Sequence, residues 1–134
     1  DIFFAQRQQV QLFDDSLPAL EFLAQRWPIV AVTNGNADVQ RIGIGQFFRD
    51  SFNVSRTGFA KPDIRIFHCA AQSLGVPSSA TLHIGDDAQL DVVAGRNAGM
   101  QVIWVNREHR DWPVQDQASP MMVSSLAQLC DLLR

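Results

Sequence analysis

Apolar residues along the chain fall into two patterns that together predict a layered α/β fold. Short continuous runs are typical of strands buried on both faces, and they occur at residues 29–32, 80–84 and 101–105. Stretches in which apolar residues recur every three or four positions predict amphipathic helices, and they occur at residues 17–27, 64–74 and 126–133. Because strands and helices alternate, we expect a three-layer, Rossmann-like α/β fold with a parallel sheet.

Breaker residues set the expected limits of these elements. Pro28 ends the first helix, Gly75 and Pro77 end the second, and Pro62 is expected at the first position of that second helix. Gly99 ends a further helix. The weaker patterns predict helices over 37–44 and 88–98, a weak helical continuation over 46–48, strands over 52–55 and 121–123, and a loop over 56–60.

Composition and charge limit the classes of function. The 134 residues, 46% of them hydrophobic, suffice for one ordinary core and predict a single domain. A net charge of -3 without a Lys/Arg cluster argues against nucleic acid as a partner, and no apolar run is long enough to span a membrane. Cys69 and Cys130 lack a CxxC arrangement, which favours a reducing compartment, so the cytoplasm is the expected location.

The apolar run at 80–84 ends in a cluster of carboxylates. Asp86 and Asp87 follow Gly85 directly, and Asp91 comes about one helical turn later. Open α/β sheets bind ligands at such strand ends, and clustered carboxylates repel one another unless a cation or a proton is present. These oxygen ligands suit Mg²⁺. The alternative is a solvated acidic turn that caps the next helix.

Two further features precede this cluster along the chain. Thr33 and Asn34 follow the strand at 29–32, and Lys61 stands directly before Pro62 and the helix it introduces. A hydroxyl, backbone N–H groups at a helix start and a fixed ammonium together form a phosphate cradle. Taken singly, the Thr favours turn chemistry and the Lys a solvated charge.

The order and spacing of the three features resemble the haloacid dehalogenase (HAD) superfamily of phosphatases, in its subgroup with a helical cap inserted near the N-terminus. Residues 32–36, Val-Thr-Asn-Gly-Asn, are similar to the second motif of that family, whose Ser/Thr binds the transferring phosphoryl group. Lys61 matches the third motif, whose Lys neutralises charge on the nucleophile and the phosphate. Residues 85–91 match the fourth motif, of GDxxxxD form.

The resemblance implies a Mg²⁺-dependent phosphatase that acts on a small phosphorylated metabolite through an aspartyl-phosphate intermediate. Residues 22–36 and the Lys61 region are similar to bacterial phosphatases of FMN or ribityl-pyrimidine phosphates, so FMN or a sugar-phosphate-like compound is the expected substrate. A monomer or a homodimer is expected. The implied roles are catalytic for Thr33, Lys61 and Asp86, phosphate-binding for Thr33, Asn34, Gly35 and Lys61, and metal-binding for Asp86, Asp87 and Asp91. Asp91 would otherwise orient metal-bound water or Lys61.

One motif of the family has no match in the chain. The first motif, an apolar strand ending in Asp-x-Asp, carries the nucleophile, whereas Asp14 has Ser16 two places later. We therefore expect the nucleophile strand and most of the helical cap to lie upstream of Asp1. Residues 1–14 would be the end of a cap helix and a linker, and residues 15–134 the HAD-like core. Residues 1–134 alone are expected to be inactive.

Two alternatives to a phosphatase compete with this interpretation. A signalling receiver domain also combines an acidic Mg²⁺ site with a Thr and a Lys, but there the acidic pair comes first along the chain. A non-catalytic HAD-like domain that binds a phosphometabolite or serves as a scaffold is the second alternative. His83, inside the acidic strand, is expected to be a packed, hydrogen-bonded core residue, and Trp104 is assigned to the core. Trp112 is also assigned to the core, or to a loop near the substrate.

Overall fold

The alternation of strands and helices expected from the sequence is present in the structure, a computed structural model that describes residues 16–34 and 45–134. The helices are α1 (Ser16–Arg26), α2 (Val54–Thr57), α3 (Ile64–Leu74), α4 (Ala94–Asn97) and α5 (Leu126–Leu132). The strands are β1 (Val30–Val32), β2 (Asp50–Phe52), β3 (Leu82–Gly85), β4 (Gln101–Val105) and β5 (Met121–Val123). Short 3₁₀ turns span Gly45–Phe47 and Ser78–Ala80, and a π-helix spans Ala88–Val93. The predicted α/β class is confirmed.

All strand pairs are parallel, but the strands form two sheets in the part of the chain that the structure describes. One sheet has the order β1-β2, with Val30 opposite Asp50. The other has the order β3-β4-β5, with Gly85 opposite Trp104 and Val105 opposite Val123. The expected parallel topology is therefore present, while β1 and β3 are each left with one edge that no described strand pairs.

Helices cover both faces of the strands, which gives the three layers. One buried cluster joins α1 and α5 to β4 and β5, and it includes Leu20, Ile103 and Leu126. The second joins α3 and α4 to β1 and β2. Adjacent residues of β1 point into opposite clusters, Ala31 into the first and Val32 into the second, as the two-residue period of a strand requires.

The edges of β1 and β3 line a common cavity. Its volume is about 410 Å³, and its wall is mostly apolar, with Val30 from one edge and Leu82 and Ile84 from the other. Leu82 remains 38% exposed, although it lies in the strand that precedes the acidic cluster. Within the described ranges, an apolar groove bordered by these two strand edges thus separates the two sheets.

Two local expectations were wrong, and a third was right only in part. The strand predicted over 52–55 ends at Phe52, because the Asn53 side chain accepts a hydrogen bond from the Arg56 N–H and caps α2. Helix α2 therefore begins inside the predicted strand and runs into the predicted loop. Pro62 precedes α3 instead of opening it, since Asp63 is the N-cap and accepts from the Arg65 N–H. The helix predicted over 88–98 is present, but its first part is a π-helix over Ala88–Val93 that continues into α4.

One further expectation, the end of α3 at Gly75, is confirmed, and two others lie outside the described residues. Gly75 ends α3 in the left-handed conformation, with φ of 72°. Cys69 and Cys130 are free thiols. No helix in the described ranges is long and apolar enough to cross a membrane. The helix predicted over 37–44 and the cap helix predicted over 1–14 fall outside these ranges.

Candidate active site

The segments that follow β1 and precede α3 are joined by the side chain of Asn34. Its amide Nδ2 donates to the Lys61 carbonyl at 2.9 Å, and its Oδ1 accepts from the Lys61 backbone N–H at 2.7 Å. Thr33 is buried beside it, and its backbone N–H donates to the Phe52 carbonyl at 2.9 Å. This two-point contact fixes the Lys61 backbone against the end of β1.

The Lys61 side chain then crosses to the acidic segment. Its ammonium Nζ lies 2.7 Å from Asp91 Oδ1, and both side chains are completely buried. A buried ion pair depends on good geometry and on further hydrogen bonds, because each charge has lost its water. Asp91 supplies such bonds, since its Oδ2 also accepts from the Asp87 backbone N–H at 3.1 Å.

Gly85 allows Asp91 to approach the end of β3. A Cβ at position 85 would lie 2.5 Å from Asp91 Oδ2 and would overlap its carboxyl carbon, so only glycine fits there. Asp91 lies in the π-helix, where the Asp87 carbonyl accepts from both the Asp91 and Val92 N–H groups, at 3.0 and 3.2 Å. Interruptions of this kind are frequent at functional sites.

His83 contacts the same carboxylate from inside β3. Its Nε2 lies 3.0 Å from Asp91 Oδ1, and the imidazole is only 8% exposed. Burial lowers the pKa of His83 to about 4, against the opposing effect of Asp91. Burial also opposes ionisation of Asp91, yet the hydrogen bond from His83 and the charge of Lys61 hold the pKa of Asp91 below its ordinary value. At neutral pH the cluster contains neutral His83, ionised Asp91 and ammonium Lys61.

This arrangement predicts a specific dependence of stability on pH. The folded-state pKa of His83 lies below its ordinary value of 6.5, so between pH 6.5 and 4 the unfolded chain takes up a proton that the folded chain does not. The free energy of unfolding should fall over this window by an amount on the order of 3 kcal/mol from His83 alone. Denaturant unfolding of the wild type and His83→Gln at several pH values measures it. Parallel curves for the two proteins would exclude His83 as the source.

Asp86 and Asp87 have different surroundings although they are adjacent. Asp86 reaches solvent, although the surrounding protein removes part of the water from its carboxyl group. This desolvation raises the pKa of Asp86, and the negative charge of Asp91 raises it further. The Asp86 carbonyl accepts a hydrogen bond of 3.0 Å from the buried Trp104 indole, which fixes the backbone there. Asp87 caps the π-helix, because its Oδ1 accepts from the N–H groups of residues 89 and 90 at 2.9 and 2.8 Å.

Carboxylates at the end of β3 suit a hard cation, but Asp86, Asp87 and Asp91 are not equally suited to bind one. Asp86 is exposed, and Asp87 has committed only Oδ1 to the cap. Asp91 is fully buried and paired with Lys61, which suits an orienting role better than metal binding. The described residues contain no cluster of three or more His, Cys, Asp or Glu side chains arranged around a single point. Mg²⁺ needs only one or two protein carboxylates beside its waters, so Asp86 and Asp87 fit it.

The structure brings together most of the residues that the sequence singled out. A continuous series of contacts leads from Asn34 through Lys61 and Asp91 to Asp87, with Thr33 and Asp86 adjoining its two ends; Gly35 lies outside the described residues. The sequence did not predict the contact of Asn34 with the Lys61 backbone or that of Trp104 with Asp86. His83 is the hydrogen-bonded core residue that was expected, with Asp91 as its partner. Trp112 is half-buried and packs edge-on against Trp104, with ring centroids 5.4 Å apart.

Comparison with known proteins identifies the class to which this fold and site belong. The family model described as haloacid dehalogenase-like hydrolase matches residues 2–99, which is most of the chain. The chain therefore belongs to the haloacid dehalogenase-like hydrolase family.

Three relatives illustrate the range of proteins that the chain is similar to. The 5-amino-6-(5-phospho-D-ribitylamino)uracil phosphatase YigB of Escherichia coli (strain K12) is 34% identical over 131 residues, covering 95% of this chain and 55% of that protein. The pyrimidine 5'-nucleotidase YjjG of the same organism is 36% identical over 108 residues, covering 76% and 48%. The crystal structure of 2-haloacid dehalogenase from Pseudomonas syringae pv. Tomato DC3000 has a TM-score of 0.88 at 35% identity, covering 94% and 54%. The chain thus spans about half the length of these relatives.

Proposed function

We propose that this chain is the core of a Mg²⁺-dependent phosphatase that acts on a small phosphorylated metabolite. The observation that carries the proposal is the buried Lys61–Asp91 ion pair, fixed by Asn34 at one end and by the turn at Asp86 and Asp87 at the other. A fixed ammonium beside exposed carboxylates is suited to stabilise the negative charge of a phosphoryl group in transfer.

Each residue has a definite part in this proposal. Thr33 and the backbone after β1 would bind the phosphoryl oxygens, and Lys61 would neutralise their charge. Asp91 would hold the Lys61 ammonium in position, while Asp86 and Asp87 would hold Mg²⁺. The metal, when bound, would supply a Lewis acid that polarises a phosphoryl oxygen.

The nucleophilic aspartate that would form the aspartyl-phosphate intermediate is not among these residues. In the resemblance described above, the strand that carries it is central and lies between the strands ending at Thr33 and Asp86. The cavity between the edges of β1 and β3 is consistent with that position, because a strand placed there would pair with both edges and fill the apolar groove. The chain covers about half of these relatives, which also supports the proposal that the nucleophile strand belongs to a segment outside residues 1–134.

The names of the relatives suggest the class of substrate. YigB is named as a phosphatase of 5-amino-6-(5-phospho-D-ribitylamino)uracil and YjjG as a pyrimidine 5'-nucleotidase, which supports a ribityl-pyrimidine phosphate as the first candidate. FMN is kept beside it because FMN also carries a ribityl phosphate. The similarity to a 2-haloacid dehalogenase makes hydrolysis of a carbon–halogen bond the second candidate. The acidic pair Asp86 and Asp87 favours a metal at this site, and hence a phosphate ester as the substrate.

The test compares the protein expressed from its natural start codon with a polypeptide of residues 1–134. Both are assayed against p-nitrophenyl phosphate and FMN with Mg²⁺, and against a 2-chlorocarboxylic acid for halide release. We expect Mg²⁺-dependent phosphate release by the first protein and none by residues 1–134, whose fold is checked by circular dichroism. Comparable turnover by residues 1–134 would mean that the nucleophile lies within them. Inactivity of both would favour the non-catalytic phosphometabolite-binding domain, and halide release alone would favour a dehalogenase.

A further inference from the structure

A buried histidine shares one carboxylate oxygen with the lysine of the site. Asp91 Oδ1 is 2.7 Å from Lys61 Nζ and 3.0 Å from His83 Nε2, so two donors from different elements converge on one atom. The other oxygen, Oδ2, accepts from the Asp87 N–H. Three contacts therefore set the orientation of the Asp91 carboxylate. Two of them, from Lys61 and from His83, are made to the same oxygen, Oδ1.

The chemistry of these partners fixes the proton on His83. An ionised carboxylate can only accept hydrogen bonds, and an ammonium can only donate them. The contact between His83 and Asp91 therefore requires a proton on Nε2, and a neutral imidazole then has none on Nδ1. The imidazole is therefore the Nε2–H tautomer, which donates its hydrogen bond to Asp91.

The packing around the imidazole holds its plane. Phe67 of α3 meets the ring edge-on, with centroids 4.9 Å apart and an interplanar angle of 85°. On another side Gly95 provides room, because a Cβ there would lie 2.8 Å from Val102 Cγ2 and 3.4 Å from His83 Cδ2. The ring is thus fixed by packing, and its Nε2–H has one direction available, toward Asp91.

We propose that His83 is a positioning residue for Lys61, acting through Asp91. The Nε2–H of His83 fixes the position of Asp91 Oδ1. That oxygen in turn holds the Lys61 ammonium so that it faces the phosphoryl group. Without this donor the carboxylate keeps its bond to the Asp87 N–H but can turn about it, and the ammonium turns with it. The inference rests on the proposed function, in which Lys61 contacts phosphate.

Two substitutions of similar size separate positioning from packing. His83→Gln retains an N–H donor at a comparable reach, whereas His83→Met fills the space without a donor. In the protein expressed from its natural start codon, affinity for inorganic phosphate is measured by calorimetry and the unfolding temperature by scanning calorimetry. We expect His83→Met to weaken phosphate binding by roughly tenfold or more, as for a lost hydrogen bond to a charged group, while His83→Gln stays within about threefold of the wild type.

Two further variants make the outcome unambiguous. Ile66→Val, in the fully buried part of α3, lowers the unfolding temperature by loss of packing and should leave phosphate affinity unchanged. Lys61→Met shows whether phosphate contacts the lysine. If Lys61→Met leaves phosphate binding intact, the proposed function fails, and the role of His83 fails with it. If Lys61→Met weakens binding but His83→Met and His83→Gln behave alike, only the inference about His83 is overturned.

A measurement on the unsubstituted protein covers the case in which His83→Met does not fold. Long-range ¹H–¹⁵N NMR correlations of the imidazole report which ring nitrogen carries the proton. We expect the Nε2–H tautomer for His83 at neutral pH. The Nδ1–H tautomer would leave no donor for Asp91 and would overturn the proposal.

Discussion

Lys61→Met is expected to destabilise the protein and to abolish phosphoryl transfer. The substitution removes one partner of a completely buried ion pair and leaves the Asp91 carboxylate without its cation. Breaking such a pair typically costs about 3–5 kcal/mol, because the remaining charge is buried and uncompensated. Loss of the ammonium from the site should lower turnover by roughly 10²–10³-fold. Denaturant unfolding and hydrolysis of p-nitrophenyl phosphate measure the two effects.

A double variant separates these two consequences. In Lys61→Met/Asp91→Asn the buried charge is gone, so a large part of the lost stability should return. Turnover should stay as low as in Lys61→Met, since no cation faces the phosphate. The contrary result is a loss of unfolding free energy in the double variant that equals the sum of the losses in the two single variants. That result would mean that Lys61 and Asp91 are not energetically coupled, and that their ion pair does not hold the site together.

The sequence predicted those parts of the fold that depend on local signals. Helix α3 has a strong apolar stripe and ends at Gly75, where a left-handed residue is needed, and both features can be read from neighbouring positions. Strand β4 matches its predicted range, because a short apolar run between Gly99 and a polar stretch is too short for a helix and suits a buried strand. Strand β2 was misplaced because the capping ability of Asn53 outweighed the strand propensity of Val54.

The site could be predicted only as far as its motifs. The spacing of Thr33, Lys61 and Asp86 indicated which strand ends and helix starts would meet. Two contacts that hold the site, Asn34 with Lys61 and Lys61 with Asp91, link residues 27 and 30 positions apart. Such contacts depend on how the elements pack, and neither periodicity nor turn chemistry encodes them. The same holds for Trp104, whose indole reaches Asp86 only because β4 lies beside β3.

The separation of the two sheets has the same origin. Each edge strand is predictable from its own residues, but whether β1 and β3 pair depends on what lies between them. The structure leaves an apolar cavity there in the described part of the chain, bordered by Val30 and Ile84. The expectation, drawn from the missing first motif, that a central strand completes the sheet stays a prediction.

Asp86→Asn is expected to remove Mg²⁺-dependent turnover while leaving the fold intact. The pKa of Asp86 is raised by partial desolvation of its carboxyl group and by the negative charge of Asp91, so its ionised form is disfavoured in the fold. Because Asp86→Asn removes this charge at a residue that reaches solvent, the substitution should not lower the unfolding temperature. Loss of a proposed metal ligand should reduce turnover by a factor on the order of a thousand. Asp131→Asn is the matched control, because Asp131 is an exposed carboxylate on α5 paired with Arg134.

Turnover of p-nitrophenyl phosphate as a function of Mg²⁺ concentration, in the protein expressed from its natural start codon, tests the phosphatase assignment most directly. For the wild type and Asp131→Asn, turnover should rise with Mg²⁺ to saturation and should stop when a chelator is added. For Asp86→Asn, turnover should stay near background at every Mg²⁺ concentration, although the protein remains folded by circular dichroism. Saturable, Mg²⁺-dependent turnover by Asp86→Asn at a rate close to that of the wild type would contradict the account.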